Sequence, residues 1–271
     1  MYAHRGGAAL RPENTIASFD YGLSLGADGL ELDIHLSRDG VVVVHHDATL
    51  ERTTSGRGRL SALTADELAR LDAAHWFSPS GVRPAPDADA SAFPLRGQGH
   101  GIPRLRQVLL RYPGVPLIIE LKVNDAELAR CAIEDIRAAG AVERVAFGSF
   151  GWRVLRAARA LEPRIPTGAS REEVRLALYR SWLRWPLRTT AYREFQVPER
   201  SGPTRIVSRR FIAHAHRAGV PVKVWTVNET ADMHRLLDWG VDALISDRPD
   251  LAVAAVASRH GSEPRSPGAG V

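Results

Sequence analysis

The chain has 271 residues, 44% hydrophobic and 25% charged, a length that allows a sizeable buried core and a composition that excludes collagen-like, disulfide-scaffold and wholly disordered classes. Lys and Arg number 36 against 31 Asp and Glu, a net charge of +5, which permits anionic partners. The arginines are scattered, with no dense basic run and no zinc-finger, RRM or helix-turn-helix signature, so no nucleic-acid partner is expected. The longest apolar run, Leu251 to Ala257, is far short of the ~18 residues of a membrane span. Cys131 is the only cysteine, which excludes an internal disulfide and a multi-thiolate metal site. Met1 to Arg11 lacks the charge-then-apolar order of an export signal, so a cytoplasmic location is the simplest expectation.

In chain order, a strand at Tyr2 to His4 precedes a helical pattern over Thr15 to Leu25, stopped by Gly26. Strands follow at Gly29 to His35 and Val41 to His46. The turn Ser37-Arg38-Asp39-Gly40 between them is too short for a helical crossover. Either the chain folds back there, or one of the weaker later strands lies outside the sheet. Thr53 to Pro103, with Gly, Pro, Asp and Ser clustered over 78–101, reads as an insertion over one barrel end, placed to shape a pocket. A strand at Leu117 to Lys122, a helix at Asn124 to Ala139, a strand at Val145 to Ser149, a helix at Trp152 to Leu161 and a weak strand at Ile165 to Gly168 come next.

Arg171 to Trp185, ended by Pro186, carries Val174, Leu178, Trp182 and Trp185 on one helical stripe and Leu176 and Leu183 on the opposite side. Two apolar stripes cannot both face one barrel. The simpler expectation is a helix packed under the 53–103 insertion; the alternative is peripheral membrane contact through 171–188, with arginines and tryptophans against the lipid surface. A weak strand at Phe195 to Val197, a helix at Ser208 to Ala218, a strand at Val222 to Val227, a helix at Thr230 to Trp239 and a strand at Ala243 to Ser246 complete the alternation. Residues 259–271, rich in Gly, Ser and Pro, read as a disordered tail. Residues 1–258 therefore read as one α/β domain, a (β/α)₈ TIM barrel with an insertion at 53–103. An open doubly wound sheet is the competitor, though no GxGxxG turn follows a strand.

Charged and imidazole side chains crowd the C-terminal ends of apolar strands: His4 and Arg5, Glu31 and Asp33, His46 and Asp47, Glu120 and Lys122. Burying any of these charges alone costs several kcal/mol, so they must compensate one another or hold an ion. Glu31 and Asp33, two apart on a strand, share a face. With Glu120 they offer three oxygen ligands and no sulfur, a set that selects Mg²⁺ or Ca²⁺. The plain alternative is ion pairing with Arg5 and Lys122 and no metal. His4 and His46 can take or give a proton near neutral pH and serve as acid and base, whereas His45 should point the opposite way. Arg5 and Lys122 suit phosphate oxygens. A cation, two imidazoles and two fixed positive charges describe a site for a phosphate ester.

These residues resemble the glycerophosphodiester phosphodiesterase family of phospholipase-C-like TIM barrels. The resemblance rests on His4-Arg5-Gly6-Gly7, Pro12-Glu13-Asn14-Thr15, Glu31-Leu32-Asp33, Asp39-Gly40, Val44 to Asp47 and Thr49 to Thr53. It continues through Glu120-Leu121-Lys122, Val224 to Asn228, Gly240-Val241-Asp242 and Ile245 to Pro249, in family order. It implies hydrolysis of a glycerophosphodiester, a small-molecule substrate, to sn-glycerol 3-phosphate and an alcohol with a divalent metal. By motif, His4 and His46 resemble the general acid/base pair, Glu31, Asp33 and Glu120 the metal ligands, and Arg5 and Lys122 the phosphate contacts. Trp225 resembles the aromatic wall of the glycerol or alcohol site, and Asn14 with Thr15 a helix cap that braces the His4 loop. Two departures stand out: the strand before His4 is short, and Ser246 stands where the family commonly has Thr. The rival readings are a lysophospholipase D or sphingomyelinase D-like lipid phosphodiesterase and a non-catalytic phospholipid-binding barrel. The intact imidazoles and acids argue against the last. The sequence leaves the oligomeric state open.

Overall fold

In the computed structural model, which describes residues 1–80, 85, 88–187 and 190–260, the short first strand is held on both sides. β1 (Tyr2–His4) pairs in parallel with β2 (Gly29–Leu36), His4 opposite Glu31, and with the last strand, Ala243–Ser246, Ala3 opposite Ser246. The helix between the first two strands, α1 (Ile16–Ser24), begins at a reciprocal cap: the Ser18 N–H donates to the Thr15 hydroxyl and the Thr15 N–H to the Ser18 hydroxyl. After β2 the chain turns back, with Gly40 at φ +75°, and returns as β3 (Val42–Val44), antiparallel to β2. Of the two ways to accommodate nine strand candidates, the hairpin is the one adopted, because so short a link cannot cross over a sheet.

Residues 53–103 contain 3₁₀ turns at Leu60–Ala62 and Ala90–Ala92 and the short helix α2 (Ala65–Ala69). This segment has its own apolar cluster, in which Leu60, Leu68 and Ile102 pack with Leu50 and with Val43 of β3. The 78–101 cluster falls partly outside the described residues. α3 (Leu105–Arg111) was not anticipated; its apolar face, Leu105, Val108 and Leu109, is only two turns long. Then follow β4 (Leu117–Leu121), α4 (Ala126–Ala138), β5 (Val145–Gly148), α5 (Trp152–Leu161) and α6 (Arg171–Leu183). β6 (Phe195–Pro198), the two-residue strands β7 (Arg200–Ser201) and β8 (Thr204–Arg205), α7 (Arg209–Arg217) and β9 (Val222–Trp225) come next. α8 (Thr230–Trp239), β10 (Ala243–Ser246) and α9 (Pro249–His260) complete the described chain. Residues 259 and 260, expected in the tail, end α9 instead, and 261–271 lie outside the described residues.

The parallel strands run β5-β4-β2-β1-β10-β9-β6. The gap between β5 and β6 is spanned by Thr167 and Gly168, which bridge in parallel to Phe147 and Glu194. The weak strand expected at Ile165 to Gly168 is thus only a bridge, yet it is the eighth stave of a TIM barrel. Two apolar halves pack between strands and helices, one around Leu32, Ile119 and Phe147, the other around Phe195, Phe211 and Val224. The C-terminal strand ends then open onto one mouth.

Candidate active site

Strand alternation puts Glu31, Asp33 and His35 on one face of β2, and the β2–β4 register sets Glu120 opposite Asp33. One ligand atom from each of Glu31, Asp33 and Glu120 lies within 4.8 Å of the others. Asn14 Nδ2 donates to Asp33 Oδ2 at 2.9 Å, whereas Asp33 Oδ1 is buried and accepts no hydrogen bond, with Lys122 Nζ 3.4 Å away. Burial and the neighbouring Asp33 push the Glu31 carboxyl up to about 8. Burial likewise raises Glu120, with Asp33 adding to it, against the pull of Lys122. The cluster sets three carboxylates against Arg5 and Lys122, keeps a buried oxygen that accepts no hydrogen bond and offers only hard donors, and so fits a divalent cation.

Two imidazoles flank it, each held by a carboxylate. His4 Nδ1 is 2.6 Å from Asp247 Oδ1, and His46 Nδ1 is 2.5 Å from Asp47 Oδ1. Burial opposes ionisation of both aspartates, but hydrogen bonds from Arg52 and His46 hold Asp47 down to about 2, and those from His4 and Asn228 hold Asp247 below the usual carboxylate range. An ionised carboxylate only accepts, so each ring donates from Nδ1 and leaves Nε2 for chemistry. His4 Nε2 lies 3.7 Å from Glu31 Oε2. Burial lowers the affinity of His4 for a proton, yet Glu31 and Asp247 together outweigh it and the net shift is upward.

The supports differ. Asp247 Oδ2 accepts from Asn228 Nδ2 at 2.9 Å, and the Ser246 hydroxyl donates to Asn228 Oδ1 at 3.2 Å. A hydroxyl is what this position needs, which Ser supplies as Thr does. On the other side Arg52 donates to Asp47 and to both oxygens of Glu13, at 2.7 Å each. His35 Nε2 donates to the His46 carbonyl at 3.0 Å. His45 is buried apart from the mouth, its Nε2 3.2 Å from the Thr49 carbonyl.

Arg5 has left-handed backbone, φ +50°, continued by Gly6 at φ +86°. A Cβ on Gly6 would stand 2.6 Å from the Ser18 carbonyl carbon, so only glycine lets α1 approach this turn. The turn directs the Arg5 N–H to Glu31 Oε2 at 3.1 Å. Arg5 Nη1 donates to Glu13 at 3.0 Å, while Nε lies 3.1 Å from Asp33 Oδ2, an ion-pair distance at an angle that makes no hydrogen bond. Lys122 Nζ is 3.2 Å from Glu120 Oε1. The Trp225 ring meets Phe150 edge-on, centroids 5.8 Å apart. Asn14 donates its N–H to the Arg5 carbonyl; it braces the His4 loop and orients Asp33, and the helix cap itself is Thr15.

His4, Arg5, Glu31, His46, Glu120, Lys122 and Trp225 all line one cavity of about 730 Å³; Asp33 sits behind them. The far wall is α6, through Val174, Leu178, Tyr179 and Trp182. This corrects the expectation that α6 packs under the insertion: Val174, Ala177 and Leu178 belong to the apolar half built on β6 and α7. Among the described residues none of 53–103 lines the cavity. Sequence reasoning gave no role to Asp47, Arg52, Asn228 and Asp247, although they lie in the motif blocks, or to His35, which alternation from Asp33 could have flagged.

The model of the glycerophosphoryl diester phosphodiesterase family matches residues 4–251. YhdW of Bacillus subtilis (strain 168) is 33% identical over 260 residues, covering 93% of this chain and 96% of that protein. The glycerophosphodiester phosphodiesterase of Caldanaerobacter subterraneus subsp. tengcongensis is 30% identical over 266 residues, covering 94% and 97%. Among solved structures, an Oleispira antarctica phosphodiesterase in complex with the product sn-glycerol-3-phosphate superposes with a TM-score of 0.71 at 26% identity, covering 94% of this chain and 95% of that one.

Proposed function

Because the chain belongs to the glycerophosphoryl diester phosphodiesterase family and is an enzyme that hydrolyses glycerophosphodiesters, we propose that it releases sn-glycerol 3-phosphate and an alcohol with one divalent ion, using His4 and His46 as the proton-handling pair. The observation that carries this reading is the pair of imidazoles, each anchored at Nδ1 by an ionised aspartate, on either side of the Glu31, Asp33 and Glu120 cluster. These three carboxylates would hold Mg²⁺ or Ca²⁺, which neutralises the non-bridging phosphate oxygens. Arg5 and Lys122 add fixed positive charge on the phosphate, and Trp225 walls the glycerol or alcohol group. One Nε2 takes the proton of the attacking oxygen as its bond to phosphorus forms; the other gives a proton to the departing alcohol as its P–O bond breaks. Asp47 and Asp247 stabilise whichever ring is charged.

Residues 1–258 act in this reading as one catalytic domain in the cytoplasm. No described helix is long and apolar enough to cross a membrane. The exposed Trp182 and Trp185 support peripheral lipid contact through the described part of 171–188, whose residue 188 lies outside the described chain. Release of glycerol 3-phosphate from glycerophosphoethanolamine tests the reaction. His46→Ala should lower kcat about 100-fold or more with little change in KM, and Glu31→Ala should abolish metal-stimulated turnover. Full activity in EDTA, or an unimpaired His46→Ala enzyme, would overturn the assignment.

A further inference from the structure

Charge is unevenly partnered around the cavity. Among the described residues the only acids that line it are Glu31 and Glu120, both in the carboxylate cluster, and Arg5 and Lys122 are paired with that cluster and with Glu13. Two further fixed positive charges line the same space, Arg171 and Arg175 of α6. Four residues apart on a helix, they share a face. Neither guanidinium forms an ion pair or a side-chain hydrogen bond among the described residues: Glu172 reaches neither, and Glu173 is taken by Arg159 at 2.8 and 3.0 Å. Phe150 sets their place relative to the catalytic groups. Gly148 of β5 pairs with Glu120 of β4, so Phe150, two residues on, leaves the barrel beside the strand that carries Glu120. Its ring meets Trp225 edge-on, and Arg171 Cζ stands 5.2 Å from its centroid, within cation–π range. Trp225, Phe150 and Arg171 thus form a continuous wall from the barrel mouth to α6.

In a glycerophosphodiester the glycerol is uncharged and the diester carries one negative charge, so only the departing alcohol varies. An ammonium on that alcohol would meet two unpaired guanidinium groups and, outside the carboxylate cluster, no acid among the described residues of the cavity. A second anion would meet matching donors, since a guanidinium fork suits the paired oxygens of a phosphate or carboxylate. Resting on the function proposed above, we infer that Arg171 and Arg175 bind an anionic group on the departing alcohol, so that glycerophosphodiesters of acidic alcohols are the favoured substrates. Water adds its oxygen to phosphorus and the P–O bond to the acidic alcohol breaks. One proton goes to that alcohol, the other is released, and sn-glycerol 3-phosphate remains. The two arginines set specificity: they hold the alcohol along the aromatic wall and take no part in proton transfer.

The test compares the glycerophosphodiesters of ethylene glycol and of 2-hydroxyethyl phosphate, in which the same two-carbon alcohol ends in a hydroxyl or in a phosphate. Release of sn-glycerol 3-phosphate reads both, with the full chain, free Mg²⁺ or Ca²⁺ held equal and no lipid present. At low salt the phosphate-ended substrate is expected to have the higher kcat/KM by about tenfold or more, the contribution of one charge-assisted hydrogen bond, and the lead should shrink as salt rises. The Arg171→Gln, Arg175→Gln double variant should lower that ratio about fivefold or more; a damaged fold would lower both rates and spare the ratio. The Arg153→Gln, Arg156→Gln variant removes the same charge from exposed positions of α5 that do not line the cavity, and should keep the parent ratio. If the hydroxyl-ended substrate is cleaved and the phosphate-ended one has no lead, or the lead survives in the α6 variant or falls equally in the α5 variant, this inference is overturned and the proposed function stands. If neither substrate is cleaved with either ion, both fall together.

Discussion

At His4 and His46 the same device is assembled from different parts of the chain. His46 takes its carboxylate from the next residue, Asp47, locked by Arg52 to Glu13. His4 takes its own from Asp247, at the far end of the sequence, held by Asn228. Asp247→Asn keeps the shape and removes the charge, and its amide can present a donor to the ring, favouring the wrong tautomer. Asp247 helps raise the His4 pKa, so its loss should move the limb of the pH–rate profile belonging to His4 to lower pH. It should also cut kcat about 100-fold or more, with KM within about threefold. A purely structural Asp247 would leave the limb in place, and that result would remove it from the mechanism. The Glu31 and Asp33 pairing was legible because strand alternation is a local rule. The His4–Asp247 pairing was not, because it exists only through barrel closure, which sets Ala3 beside Ser246.

α6 shows what periodicity can and cannot decide. Its two apolar stripes state a conflict around the helix, and the structure settles it both around and along the helix: the Leu176 and Leu183 stripe is exposed throughout, and the Val174 stripe is buried only over its first turns. Val174, Ala177 and Leu178 are buried at the N-terminal end, while Trp182, Leu183 and Trp185 at the other end are 47%, 60% and 62% exposed. Burial that changes with height above the barrel leaves no mark in a period of 3.6 residues. The same limit hid the fate of Ile165 to Gly168, too weak for a strand yet sufficient as a bridge, whereas α5 and α8, with clear faces and flanking signals, were readable to the residue. An exposed aromatic end flanked in sequence by Arg180 and Arg184 suits an anionic bilayer surface. Co-sedimentation with phosphatidylglycerol vesicles should therefore detect the parent chain at low salt, weaken as salt is raised, and fall about fivefold or more for the Trp182→Ser, Trp185→Ser double variant. A parent that does not sediment, or a variant that sediments equally, would leave these tryptophans without a membrane role.

Over the whole molecule, the barrel carries opposing titrations whose balance depends on the ion. Glu13 and Asp47 are held near 2 in the fold, against burial, by Arg52 and its neighbours. Their folded pKa values are depressed, so their stabilisation is present above the ordinary carboxylate range and is lost as pH falls through it toward 2. Glu31 has the opposite sign. Without an ion its folded pKa is raised to about 8 by burial and Asp33, so the fold keeps a proton that the unfolded chain has released. Stability therefore falls as pH rises from about 4.5 to about 8, by up to about 1.4 kcal/mol per pH unit for one such group. His4, also raised, adds in the same direction. A divalent cation replaces that proton, so it should bind more tightly at pH 8 than at pH 5.5 and stabilise the fold more there. Thermal melts in EDTA should show Tm highest near pH 5 and declining by several degrees toward pH 8, at about 2–4 °C per kcal/mol for a chain of this size. Excess Mg²⁺ or Ca²⁺ should recover most of that decline at pH 8 and change little at pH 5.5. Equal gains at both pH values would mean that the ion does not displace a proton from Glu31, and the carboxylate cluster would then not be its site.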